Sequence, residues 1–321
     1  MPRYLRLSLG LTGYDGGYCL AMGTPKMGNW TLQFAEALGA HPHVLDGGLG
    51  RALAYFGLAL CFGIRVWPDL VRDVDLKSLV GLRVSAAACG LVGMLIALNA
   101  TAVELAAPFR PQGQDLGIAT LAELHTVLLG TTFGNAWLGY AACLVLGTVF
   151  GNYRPVAWAA VLGMGLALAL AGHAGEYGWS GPALWIDLLH LTFALMWLGA
   201  LALLVAGRLG KTWAPERDAL LRFSRIALPM FGAILLTGLV RLYVQYENQG
   251  GYLGGAYLLM LGLKLCAVLG VVVAAAGLRR QLRDSGDLSW ERRYDNGLSS
   301  EVFFAALVVF ATSLLTQLPP T

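Results

Sequence analysis

The sequence predicts an all-α membrane protein, a polytopic bundle of about eight transmembrane helices. Three observations predict it. Hydrophobic residues make up 57% of the chain and charged residues only 13%, about half the charged share of an ordinary soluble domain. The mean hydropathy is +0.64. Apolar runs of the roughly 20 residues that cross a hydrocarbon core recur along most of the 321 residues. The surroundings are therefore membrane lipid. A net charge of +3 is too small to indicate a nucleic-acid partner.

Residues 1–48 read as an extramembrane N-terminal arm. Its start is basic, but Asp15 and several glycines interrupt the apolar core that a secretory leader needs. The spans then read as 49–67, 80–104, 119–150, 155–174, 182–207, 223–246, 256–279 and 299–318. The third is too long for one simple span. Within it "GTTFGNAW" carries Gly130, Gly134 and Asn135, which predict a break: a short helix over 117–131 outside or along the membrane, then the span proper. Ser180-Gly181-Pro182 opens the fifth span, with proline suited to the first turn. Residues 49–174 form a first four-helix half and 175–321 a second.

Lysine and arginine sort the loops. Arg72 and Lys77 follow the first span, Arg208, Lys211 and Arg217 the fifth, and Arg279, Arg280, Arg292 and Arg293 the seventh. The alternate loops are nearly bare: 105–118 has only Arg110, and 175–181 and 247–255 have no Lys or Arg. Basic loops stay in the cytoplasm, so both termini are predicted on the periplasmic side. The five cysteines stand singly, without CxxC or CxxCH, which argues against a disulfide framework, a thiolate zinc site and covalent haem.

The polar residues cluster at "LAGHAGEYGWSGPALWIDLLHLTFALMWLG", which brings His173, Glu176, Asp187 and His190 to one junction. On the predicted topology all five histidines, His41, His43, His125, His173 and His190, fall on or near the outer face. Asp187, His190, Ala194 and Trp197 form one stripe on a helix. Asp187 can accept a hydrogen bond from one imidazole nitrogen of His190 and leave the other for a metal. Glu104 ends the second span at the same face, and Met164 and Met196 lie deeper. Imidazole and carboxylate suit Cu(II), and imidazole with thioether suits Cu(I). The candidate metal ligands are thus His173, His190, His125, Asp187, Glu104 and Met196. Each also has a plainer role: His190 as a hydrogen bond between helices, His173, His125 and Glu104 as interfacial groups, Met196 as packing. Arg241 and Lys264, also inside spans, are placed to pair with Asp187 or Glu104.

"GHAG" closing a span, followed by "DLLHLTFALMWLGALALL", resembles the copper-resistance CopD family, also found fused in YcnJ-type copper proteins. The resemblance continues through "LLRFSRIAL", "LLTGLVRLY", "YLLMLGLKL" and "SEVFFAALVVFATSLLTQLPP". It spans roughly 49–320 and is strongest over 172–320. It implies an eight-helix inner-membrane protein that takes up copper in association with periplasmic CopC-like carriers, with the family's histidines at His173 and His190. On this reading copper is the cargo, and no enzymatic activity is predicted. Two other classes stay open: an electron-transfer subunit holding b-type haem between histidines, and a structural or assembly subunit of a larger membrane complex.

Overall fold

The computed structural model describes Gly39, residues 42–71, Val74, and residues 76–110, 117–210, 217–284 and 290–318. Most of the predicted arm, with His41, lies outside them, as do Arg72 and Lys211. Among the described residues there is no strand. The long helices are α1 (Val44–Val66), α2 (Leu76–Ala106), α3 (Leu121–Gly130), α4 (Thr132–Val149), α5 (Arg154–Leu170), α6 (Pro182–Gly210), α7 (Arg217–Asn248), α8 (Gly255–Asp284) and α9 (Trp290–Leu315). Seven of them are long and apolar enough to cross a membrane. The fourth predicted span is the 17-residue α5, about 26 Å of helix. The chain is a multi-pass membrane protein.

The predicted break in the third apolar run falls at Thr131. Its hydroxyl accepts from Gly134 N at 2.9 Å and donates to the Val127 carbonyl at 2.7 Å, so one side chain ends α3 and caps α4. The start of α3 is a capping box. Thr120 Oγ1 accepts from Glu123 N, and Glu123 Oε2 accepts from Thr120 N at 2.7 Å. Arg110 then grips the same carboxylate with two hydrogen bonds, at 2.9 and 2.6 Å. Those Arg110 bonds first, and the Thr120 backbone bond second, hold the Glu123 carboxyl down at about 2. This cap pins α3 to the end of α2, where Asn99 also bridges Gly117 O and Ala119 N.

Helix α1 is the centre of the bundle, packed on α2, α5, α6 and α9. Its close approach to α2 depends on glycine: a Cβ on Gly50 would lie 2.6 Å from Ala97 N. Small residues at such crossings let helix backbones meet where no hydrophobic effect drives them together. Trp137 and Tyr140 of α4 are fully buried in the main core, and the Tyr140 hydroxyl donates to Ala54 O at 3.0 Å. Outward-facing Leu239, Leu269 and Val273 are more than half exposed, as expected of side chains whose solvent is lipid.

The helices alternate, so the two ends of the bundle differ. At one end Arg65 donates to the Gly151 carbonyl, Arg83 to Asn152 at 2.6 Å, Arg208 to Ser299 at 3.0 Å, and Arg222 pairs with Asp69 at 3.2 Å. This is the basic end. The other carries the start of α1, the capped α3, the turn at His173–Tyr177 and the end of α9.

Candidate functional site

Four helices bring ionisable side chains together in the half of the bundle away from the basic end. Helical spacing does the placing. Helix α1 offers Arg51 and Tyr55, α6 offers Asp187 and His190, α7 offers Ile234, Thr237 and Arg241, and α8 offers Tyr257 and Lys264. From Pro182 to His190 the axis of α6 advances about 12 Å, so the group lies well inside the span.

Arg241 Nε donates to Asp187 Oδ1 at 2.6 Å, and the carboxylate is 8% exposed. The pairing of Arg241 with Asp187 is as the sequence indicated. Arg51 is only 3% exposed. Its Nη2 donates to the Ala171 carbonyl, its guanidinium lies 5.5 Å above the Phe133 ring, and Tyr55, one turn along α1, is its polar neighbour. The charges of Asp187 and Arg241 both act on Arg51, and the same two act on Lys264. Arg241 alone bonds the carboxylate, with Arg51 and Lys264 near enough to feel its charge, and ionisable groups inside a membrane are costly and mark functional sites.

His190 does not bond Asp187. Its Nδ1 lies 3.1 Å from Ile234 O and 3.0 Å from Thr237 Oγ1. A carbonyl only accepts, and the Thr237 hydroxyl has its own acceptor in Ala233 O at 2.7 Å. The proton therefore sits on Nδ1, and Nε2 carries the lone pair. Gly238 makes room for this: a Cβ there would stand 3.2 Å from His190 Cε1. The orienting role expected of Asp187 is filled by the backbone of α7, because the guanidinium of Arg241 is the stronger partner for a buried carboxylate.

His173 lies in the turn after α5, where its Nε2 donates to Leu318 O at 3.2 Å and ties the turn to the end of α9. His125 is exposed on α3. Glu104 is half-buried near the end of α2. Met196 sits half-buried between two apolar cores, with its carbonyl taking the Trp67 indole N–H at 2.7 Å. The side chain of Glu176 lies outside the described residues. Among the described residues no three His, Cys, Asp or Glu side chains gather as a metal site. The structure joins Asp187 and His190 into one polar group and leaves His125 apart from it.

Arg51 and Tyr55 were missed in the sequence. The signal was present: Arg51 is a lone cation inside "GGLGRALAYFGLAL", and such a cation needs a partner on another helix.

The molecule is therefore a helical membrane protein with a buried, cation-rich polar site. Residues 217–315 match the family model CopD, copper resistance protein D. The matched segment comprises α7, α8 and α9, and it supports the CopD membership that the motifs suggested, with a place in the inner membrane. Arg241 and Lys264 lie inside it, and His173, Asp187 and His190 precede it. No curated protein and no solved structure matches the chain.

Proposed function

We propose that the protein accepts copper at its less basic end and moves it across the inner membrane, with His190 as the entry ligand. The observation that carries this reading is the fixed tautomer of His190. Its Nδ1–H is held by a backbone carbonyl at 3.1 Å, the support that metal-binding histidines usually have, and its Nε2 lone pair is left for a metal. The CopD match supports copper as the cargo. His173 and Met196, before and beyond His190 along the chain, are further stations, His125 and Glu104 shape the mouth, and Asp187 supplies the buried negative charge beside His190. A periplasmic CopC-like carrier is the donor this reading implies, and the less basic end faces the periplasm by the distribution of Lys and Arg.

The charges around His190 bear on the oxidation state. Lys264 and Arg241 both act on it. A monovalent ion suffers half the repulsion of a divalent one from the same cations. Cu(I) is the species this site admits at lower cost, and imidazole is a donor that suits copper.

The test is Cu(I) affinity of purified wild type and His190→Ala, measured by competition with a chromophoric chelator beside thermal stability. Loss of a ligand should weaken Cu(I) more than about tenfold, beyond the lower bound for an outer-shell partner, with little change in melting temperature. Unchanged affinity with a lowered melting temperature would mean that His190 only joins α6 to α7.

A further inference from the structure

At the basic end, α7 and α8 barely touch. The gap between them holds two adjoining cavities that share Ser224 and Arg279. The outer one, about 470 Å³, is lined by Arg217, Asp218, Arg222, Arg225 and Arg279. The inner one, about 160 Å³, runs into the apolar zone between Phe223, Ala227, Phe231, Val272 and Ala276, with Glu301 of α9 also on its wall. Several of these lining residues open sideways: Leu228 is 63% exposed and Val272 41%. A charged basin at the end of a span thus continues into an apolar groove facing the hydrocarbon.

We propose that this composite groove is a binding site for one anionic phospholipid, its phosphate among the arginines and an acyl chain along the groove between α7 and α8. Charge complementarity commits the site to this occupant. Four arginines line or edge the basin against Asp218, and Arg222 also pairs with Asp69 at 3.2 Å. Arg217 has an interaction of its own, and Arg225 and Arg279 together face the single carboxylate of Asp218, which leaves one positive charge among these residues. A zwitterionic lipid would bring its own cation into that surplus, whereas an anionic headgroup neutralises it. Arginine suits the task because its planar donors match phosphate oxygens. The arrangement also suits the fold: α7 and α8 share few contacts of their own, and a lipid seated between them fills the gap. Glu301 meets only the apolar part of the occupant, and Asp218 is outnumbered at the mouth. The inference is independent of copper, since the groove lies at the end of the bundle opposite His190.

The experiment is native mass spectrometry of the full chain in detergent, with phosphatidylglycerol, cardiolipin or phosphatidylcholine of matched chains added back, alongside inorganic phosphate alone. Wild type should retain anionic lipid over phosphatidylcholine by roughly tenfold. Arg225→Gln with Arg279→Gln should remove that preference, and the two Lys replacements should restore part of it. Ala276→Phe fills the groove without touching the charges, and it should lower lipid retention while leaving the arginines in place. Equal retention of phosphatidylglycerol and phosphatidylcholine by wild type would overturn the proposal. So would undiminished preference in the double Gln variant. Phosphate alone reproducing the binding, with Ala276→Phe indifferent, would reduce the site to an anion basin and overturn the lipid assignment.

Discussion

Asp187 and Arg241 form a 2.6 Å ion pair inside the bundle, with Arg51 and Lys264 beside it. Removing the carboxylate leaves Arg241 without its bonded counter-charge. Asp187→Asn should therefore cost stability, about 3–5 kcal/mol for a broken buried pair. Arg241→Gln in the same chain should recover part of it, read as a thermal melt in detergent. Strictly additive losses in the double variant would show that the two groups are not coupled. The pair was legible in the sequence because opposite charges in apolar spans must find each other. The hydrogen bond of His190 was not. Asp187 and His190 stand three residues apart, and that spacing gives a shared face, not a contact. Gly238 decides the outcome by letting the imidazole reach α7, and nothing in the sequence of α6 reports it.

Among the elements, α3 shows how little sequence is needed to place a short helix. The break at Thr131 was readable from the glycines around it. The clamp of Arg110 on Glu123 was not, because it joins a loop to a helix start 13 residues on. It has a definite pH dependence. The folded carboxyl sits at about 2, below its ordinary value of about 4.3. Its contribution is therefore complete above the ordinary carboxylate range and is lost as pH falls through about 2. Amide exchange over Leu121–Gly130 should stay slow, after correction for intrinsic rates, between pH 5 and 8. Glu123→Gln should speed it at every pH in that range. Equal protection in the variant would show that packing alone holds α3. The α7–α8 pair is the opposite case, with few contacts between the helices and a groove in their place.

At the scale of the whole molecule, composition and span lengths sufficed for the bundle, and the loops for its two unlike ends. Six candidate ligands could be named from type and position, but not their grouping. Grouping depends on which helices adjoin, and α1 meets α6 and α9 across long stretches of chain. That packing is what carries Arg51 to the polar site. The central claim is that copper enters at His190 and crosses. The most direct measurement is Cu(I) entry into vesicles containing the purified protein, followed by a chelating fluorophore sealed inside. Wild type should admit copper well above protein-free vesicles, and His190→Ala should fall close to that background. Entry no faster than in protein-free vesicles, or equal entry through His190→Ala, would contradict the account.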